Sequence, residues 1–415
     1  MLLTGLILAA MAASPAPARA TAATARAVDE ALVACGTRHS LSSHDDPKRG
    51  IGCARDAIAG FFREAAARGK AARVVVDRFE ATSPRTRDVP APLENVYLVL
   101  DGDDPALKKT AILVSGHYDS MCSDIMDSAC DAPGADDDAS GTTVAIESAR
   151  ALAGAPRRAT IVLAALAGEE QGLLGGKRLL EWTKAEGLTV GGVFNNDIAG
   201  ATNGSKDRRP RVFSDDDPQS QSRELGLWLE STLGKRTVRL VFRKDRISRG
   251  GDHLPFVEAG LPAVRFTEPR EDYRHQHQTP RTEDGVEYGD LPKFMDFDFL
   301  AAVARTNAEA ARRLANAPLP PSSVIADGAV KPDTTIVIEA PDDPLRAGFE
   351  ILTRDTTEPR WTVLRRIDAA GSQVLTGVRI DDQFFAVRSV GRNGERSIAI
   401  GAKPKPRTPV GPPAK

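Results

Sequence analysis

The 415-residue sequence lacks several features that would point to a function at once. Its formal net charge is −2, so it has no strongly basic character of the kind that nucleic-acid-binding domains carry. Beyond the N-terminus, no segment approaches the roughly 18 uninterrupted apolar residues of a membrane span, and no internal repeat is visible. Hydrophobic residues make up 41% and charged residues 27%, which is ordinary for a globular protein. These absences argue against a nucleic-acid partner and a membrane span.

The sequence has only four cysteines, and none lies in a C-x-x-C pair. This spacing argues against a zinc knuckle or a redox site. Cys35 and Cys53 form one local pair, and Cys122 and Cys130 form another. Because an even number of cysteines in an exported protein favours disulfides, we expect these two local pairs, which close the shortest loops. Four free buried thiols are the alternative.

The first 20 residues are typical of a signal peptide. Residues 2–13 form an apolar run that is too short to span a bilayer, and the small-x-small triplet of residues 18–20 follows it. The run lacks a preceding basic residue, and a disordered apolar tail is the alternative interpretation. We therefore predict a signal peptide over residues 1–20 and a secreted or periplasmic protein.

The rest of the chain divides into two parts. Over residues 21–317, apolar strand-like runs alternate with helical stretches, which predicts an α/β three-layer sandwich with a mixed, mostly parallel central sheet. A proline-rich linker is predicted over residues 318–326. Short alternating strands over residues 327–403 predict a small all-β sandwich that resembles a fibronectin type III domain, with phenylalanine where tyrosine is usual. Residues 404–415 are expected to form a disordered tail.

The hydrophobic periodicity places the individual elements of the first part. Predicted strands cover residues 72–79, 95–100, 110–116, 159–166, 190–195, 238–242 and 263–267. Predicted helices cover residues 24–36, 52–69, 141–153, 172–186, 218–233, 252–259 and 291–315.

Two groups of metal-ligand residue types follow the predicted strand 110–116. His117 stands at its end, and Asp119 is close enough to orient the imidazole, although a lone His-x-Asp is more often a surface loop. Residues 136–138 are three consecutive aspartates, which repel one another unless a cation or solvent screens them. They also precede a predicted helix, where the interaction of acidic residues with the helix dipole is favourable. One of them could instead bridge two metal ions.

Further candidates follow other predicted strands, and sites in α/β proteins gather at the carboxyl ends of strands. Glu169 and Glu170 come directly after strand 159–166. As neighbours they can divide two roles, one binding metal and the other accepting a proton from the attacking water, or they can be simple surface charge. Asp197 follows strand 190–195. His275 and His277 are each either a ligand or a surface residue.

Three of these motifs, in this order, resemble the co-catalytic zinc aminopeptidases, which include bacterial leucyl aminopeptidases and are related to glutamate carboxypeptidases and glutaminyl cyclases. The motifs are GHYDS at 116–120, GADDDASG at 134–141 and GEEQGL at 168–173. The resemblance spans roughly residues 25–315. It implies the zinc exopeptidase fold, two zinc ions per chain and peptide substrates.

The resemblance also implies a place for each ligand. One zinc would bind His117 and Asp197, and the other would bind Glu170 and a late histidine. Asp137 would bridge the two ions, and the family often has a cis peptide bond after this aspartate. Glu169 would be the general base that takes a proton from the water between the ions.

The late histidine is either His275 or His277. Relatives usually place an aspartate shortly after this ligand, whereas Thr279 or Arg281 stands there in this sequence. The segment 249–256 resembles a loop that lines the substrate cleft in the family. Its Asp252 and His253 could instead cap the helix that follows.

The resulting interpretation is a secreted enzyme that removes N-terminal residues from peptides. A carboxypeptidase acting on acidic C-termini would favour an arginine-lined pocket, to which Arg246, Arg249 and Arg265 could contribute. A glutaminyl cyclase manages with one zinc, and the presence of both His117 and Asp197 argues for two. An inactive secreted binding protein on the same fold would usually have lost ligands. The C-terminal domain is expected to serve attachment, polymer binding or stability.

Overall fold

The computed structural model describes residues 19–406. The predicted signal peptide lies outside this range except for residues 19 and 20. The seven helices of the described chain are α1 (Ala22–Val33), α2 (Gly50–Ala66), α3 (Ser140–Leu152), α4 (Leu174–Ala185), α5 (Gln221–Leu233), α6 (Leu254–Glu258) and α7 (Phe297–Ala315). Among the described residues, no helix combines the length and the apolar character needed to cross a bilayer.

The first part of the chain forms a central sheet and one small hairpin. The strands of the central sheet are β1 (Ala72–Ala81), β2 (Ala91–Leu100), β3 (Thr110–His117), β4 (Thr160–Leu166), β5 (Thr189–Asn196), β6 (Arg211–Phe213), β7 (Arg239–Val241) and β8 (Ala263–Thr267). The hairpin pairs β9 (Arg281–Glu283) with β10 (Val286–Tyr288). The sequence did not predict β6, β9 or β10, because a three-residue strand is too short to establish a period.

The central sheet has the order β1-β2-β4-β3-β5-β8-β6-β7. Strands β4, β3, β5 and β8 are parallel to their neighbours within this group, whereas β1, β2 and the β6–β8 pair are antiparallel. Helices cover both faces, so the predicted three-layer sandwich with a mixed, mostly parallel sheet is confirmed. Because the four central strands run the same way, their carboxyl ends meet at one edge of the sheet.

Two apolar cores lie on opposite faces of this sheet, since side chains alternate along each strand. In β2, Val96, Leu98 and Leu100 pack into the core beneath α1, α2, α3, α5 and α7. The intervening Tyr97 and Val99 pack on the opposite face, beneath α4 and α6. The strand is therefore apolar throughout, as expected for a strand buried on both faces.

Both predicted disulfides are confirmed. Cys35 bonds to Cys53, and Cys122 bonds to Cys130. The first bridge connects the end of α1 to α2 across the polar loop between them. The second closes a loop of eight residues that follows the GHYDS motif.

The C-terminal part is an all-β sandwich of two four-stranded sheets. One sheet contains β11 (Ser323–Asp327), β12 (Thr334–Glu339), β15 (Gly371–Leu375) and β18 (Lys403–Pro404). The other contains β13 (Arg346–Asp355), β14 (Thr362–Ile367), β16 (Gln383–Gly391) and β17 (Ile400–Gly401). The fibronectin type III resemblance stays a prediction.

Both ends of this sandwich differ from the predicted boundaries. Residues Ser323–Asp327, which the sequence placed in the linker and at the start of the domain, form β11. The tail expected to be disordered from residue 404 is ordered at its start, because Lys403–Pro404 pairs with β11 and the Lys405 backbone N–H donates to the Ala326 carbonyl. Backbone pairing with β11 therefore continues the fold two residues further than composition indicated.

The sandwich is fixed to the first part of the chain through α5. Trp361 donates its indole N–H to the buried carboxylate of Glu224, at 2.8 and 3.0 Å from the two oxygens. Arg360 forms two hydrogen bonds with Glu230, of 2.6 and 2.9 Å. Both glutamates lie on α5. The two parts are therefore held together by partly buried hydrogen bonds and an ion pair as well as by the linker.

Asp343 forms a second contact between the sandwich and the first part of the chain, and it provides a test of how much such contacts stabilise the protein. Its side chain is fully buried and accepts hydrogen bonds from Arg158 at 2.8 and 3.3 Å and from the Leu319 backbone at 2.7 Å. Asp343→Ala should lower the free energy of unfolding by about 3 kcal/mol, because it leaves a largely buried guanidinium without one of its partners. The exposed neighbour Asp342 provides the control, with an expected change below about 0.5 kcal/mol for Asp342→Ala. Equal urea-unfolding curves for the two variants would contradict a stabilising contact.

Candidate metal centre

Three central strands deliver predicted ligands to the same edge of the sheet. His117 is the last residue of β3. Glu169 and Glu170 follow β4, and Asp197 follows β5 directly. Because β3 lies between β4 and β5, residues that are distant in sequence meet around His117.

The imidazole and carboxylate groups of His117, Asp137 and Glu170 converge. Each offers a donor atom within 4.8 Å of the other two, and all three residues are buried. His117 Nε2 lies 3.2 Å from Asp137 Oδ1. Within the described chain, His117 Nε2 and Glu170 Oε1 are buried without a hydrogen-bond partner. Buried polar atoms without partners are rare, and these two belong to residues whose donor atoms converge, as the ligands of a metal ion would.

His277 completes this group, whereas His275 does not. His277 Nε2 lies 2.8 Å from Asp137 Oδ2 and 3.0 Å from Glu170 Oε1. Although burial opposes it, the charges of Glu170 and Asp137 raise the pKa of His277 to about 11. His275 stacks on Phe294 instead, with ring centroids 3.9 Å apart. The geometry therefore favours His277 over His275 as the last ligand of the predicted site.

The triple aspartate turn presents only its middle member to this group. The Asp137–Asp138 peptide bond is cis, as expected. Asp138 turns back and accepts hydrogen bonds from the backbone N–H groups of His117 at 3.0 Å and Gly141 at 2.8 Å. Asp290 accepts from the backbone N–H of Asp137 at 2.8 Å and from that of the preceding residue at the same distance. The flanking carboxylates therefore hold the backbone while Asp137 faces the other ligands.

Asp119 contacts both His117 and the loop that carries Glu169 and Glu170. Its carboxylate lies 3.4 Å from His117 Nδ1, so it can fix the orientation of the imidazole. The same carboxylate accepts hydrogen bonds from the backbone N–H groups of Gly168, Glu169 and Glu170, at 3.0 to 3.2 Å. One buried side chain thereby links the loop after β3 to the loop after β4.

Asp197 lines the same cleft but has a buried cation behind it. Its Oδ1 lies 2.8 Å from Arg265, whose side chain is fully buried and also contacts Asp245 at 2.8 Å. Arg265 was expected as a possible contributor to an arginine-lined pocket, and this prediction is wrong. Arg265 lies within β8 and is fully buried, so its guanidinium balances the charges of Asp197 and Asp245 and does not face the cleft.

One contact of the site was not predicted. Gln276 donates from Nε2 to Asp137 Oδ2 at 2.9 Å, and its Oε1 accepts from Arg249 at 3.2 Å. Gln276 is buried between the two candidate histidines. No spacing rule identifies such a residue, and its position directly between His275 and His277 was the only available signal.

Asp137, Glu170, Asp197 and His277 line a cleft of about 700 Å³. Glu169 lines this cleft and remains partly exposed, unlike the buried Glu170 beside it. Burial raises the pKa of Glu169 well above the usual range, while the neighbouring His117 opposes the shift. A carboxylate with a raised pKa binds a proton more tightly than an ordinary one, which is the property that a general base requires.

The fold and the converging histidine and carboxylate side chains define a hydrolase of the metallopeptidase class. More particularly, the chain belongs to peptidase family M28, whose sequence model matches residues 95–297. It is 37% identical over 409 residues to a probable zinc metalloprotease of Leptosphaeria maculans, in an alignment that covers 92% of this chain and 94% of the relative. The sequence-based identification of the family is therefore confirmed.

Solved structures share the fold at low sequence identity. LapA of Legionella pneumophila, an aminopeptidase, has a TM-score of 0.55 at 18% identity and covers 71% of this chain and 73% of its own. A glutaminyl cyclase of Fimbriiglobus ruber has a TM-score of 0.54 at 18% identity and covers 71% of this chain and 96% of its own. Since proteins of different activity share this fold, the reaction has to be argued from the site.

Proposed function

We propose that the protein is a secreted exopeptidase that holds two zinc ions and releases N-terminal residues from peptides. The observation that carries this proposal is the convergence of His117, Asp137 and Glu170. Two of these residues, His117 and Glu170, have buried atoms without hydrogen-bond partners. His277 adds a second imidazole. Imidazole nitrogen and carboxylate oxygen are the ligands that zinc accepts in catalytic sites.

The two oxygens of Asp137 support two ions rather than one. Oδ1 lies on the side of His117, at 3.2 Å, and Oδ2 lies on the side of His277, at 2.8 Å. We assign His117 and Asp197 to one ion, Glu170 and His277 to the other, and Asp137 to both. When bound, zinc ions lower the pKa of water and polarise the scissile carbonyl.

Glu169 is assigned as the general base. It lines the cleft next to Glu170, yet it is not among the three residues whose donor atoms converge. It would accept the proton of the attacking water and pass it to the leaving amine. The backbone hydrogen bond to Asp119 holds Glu169 beside the ligands.

Three observations bear on the alternatives. Arg246 and Arg249 line the cleft, as the carboxypeptidase interpretation would require. A glutaminyl cyclase needs a single zinc, which the two-sided position of Asp137 does not favour. An inactive binding protein would usually lack ligands, whereas histidines and carboxylates remain on both sides of Asp137 here. The C-terminal sandwich has a proposed role in stability, supported by its contacts with α5.

The decisive experiment combines metal analysis with a panel of blocked peptides. We expect about two zinc ions per chain, and cleavage of peptides with a free N-terminus whether or not the C-terminus is amidated. Acetylation of the N-terminus should abolish cleavage. Cleavage that persists after acetylation but is lost on amidation would establish the carboxypeptidase alternative instead. Zinc without hydrolysis of any peptide would favour the binding protein.

A further inference from the structure

Three arginines are the charged groups that line the cleft in addition to the proposed ligands and general base. Within the described chain, these arginines are Arg85, Arg246 and Arg249. Every carboxylate in the lining belongs to the proposed metal and base set. Once metal ions balance those carboxylates, the guanidinium groups are the remaining charges that a peptide meets.

The carboxylates behind the cleft wall do not neutralise these arginines. Glu271 alone serves Arg211 at 2.6 Å, Arg246 at 2.9 Å and Arg249 at 3.2 Å. Arg246 has a second partner in Asp245, which is also shared with the buried Arg265. Since several guanidinium groups share few carboxylates, the wall keeps a net positive charge.

Arg249 and Arg85 have donors left for a ligand. Arg249 uses only its NH1 group, toward Glu271 and Gln276, and its side chain remains 30% exposed. Arg85 is exposed and uses NH1 to donate to the Glu170 carbonyl at 2.7 Å. Neither Nε nor NH2 of these two side chains forms a hydrogen bond within the described residues. By contrast, Arg246 uses all three of its nitrogens internally.

We infer that Arg249, assisted by Arg85, selects peptides that carry a carboxylate beyond the scissile bond. A guanidinium with two free donors forms paired, charge-assisted hydrogen bonds to a carboxylate. The carboxylate belongs either to an acidic side chain or to a nearby C-terminus. Arg249 also connects to the site, because Gln276 links it to Asp137. This inference rests on the proposed peptidase function and deepens it by naming the substrate class.

The test measures kcat and KM for three tripeptides with the same N-terminal residue. The first has uncharged side chains and an amidated C-terminus. The second is also amidated but has glutamate at the second position. The third has uncharged side chains and a free C-terminal carboxylate. Arg249→Gln should reduce kcat/KM for carboxylate-bearing peptides about tenfold or more, mainly through KM, and change the neutral amide far less. Arg249→Lys should restore part of the loss. Arg236, which is exposed and outside the cleft, provides the control as Arg236→Gln.

The outcomes separate the two carboxylate sources and the two hypotheses. Loss confined to the glutamate peptide identifies an acidic side chain as the ligand, and loss confined to the free acid identifies the C-terminus. An equal effect of Arg249→Gln on all three peptides, or no effect, overturns the inference while leaving the peptidase function intact. Failure of the unmodified protein to cleave any of them refutes the peptidase function itself. If Arg249→Gln does not fold, Arg85→Gln is measured in the same way, with the same expected selectivity.

Discussion

Replacing Glu169 with glutamine should reduce kcat by about 10² to 10⁴ while the zinc content stays unchanged. Glutamine keeps the shape of the side chain and can still occupy its place at the cleft, but it cannot accept a proton, and general bases contribute factors of this size. Metal binding should persist because the variant keeps all five residues that are assigned as ligands. The measurements are steady-state kinetics and metal analysis of the purified variant.

Glu181→Gln is the matched control for this prediction. Glu181 lies on α4 with its side chain 68% exposed, so the same chemical change there should leave kcat and metal content as they were. A Glu169→Gln variant with near-normal kcat would remove Glu169 from the mechanism. A variant that loses zinc would instead make Glu169 a ligand.

Replacing His277 with alanine should cost one zinc ion per chain and most of the activity, whereas the same change at His275 should cost neither. His277 Nε2 faces two carboxylate oxygens at 2.8 and 3.0 Å. Its removal leaves Asp137 and Glu170 with one ligand fewer on that side. Even the loss of a group that only supports a ligand costs 10- to 100-fold in metal affinity, and the loss of a ligand should cost more.

His275→Ala is an unusually close control, since the two histidines are separated by a single residue. His275 stacks on Phe294, so its removal should lower the free energy of unfolding by about 1 kcal/mol without changing zinc content. Zinc titration with a competing chelator distinguishes the two variants. If His275→Ala loses the metal and His277→Ala retains it, the assignment of the last ligand is reversed.

The sequence was most informative where a residue's position relative to a strand decides its role. His117, Glu169, Glu170 and Asp197 each follow an apolar strand, and parallel neighbours then bring them to one edge without further information. The apolar runs identified these strands because a strand that is buried on both faces is apolar at nearly every position.

The sequence could not place residues whose position depends on loop conformation. The choice between His275 and His277 depends on how the segment after β8 folds back, and periodicity says nothing about that. Arg265 was misplaced for a different reason. A lone arginine within the apolar strand β8 was itself a sign of a buried and paired cation, because such side chains are almost never buried without a partner.

Asp290 has a consequence for the order in which the protein can be assembled. Its carboxylate anchors the backbone of Asp136 and Asp137 from more than 150 residues away along the chain. Contacts of such long range form late, because the intervening loop must first close. A nascent chain that ends before residue 290 therefore lacks both this anchor and the last residues of the catalytic half, and we expect metal capture to wait until synthesis has passed that point. The activity would then be switched on only in a chain that is nearly complete.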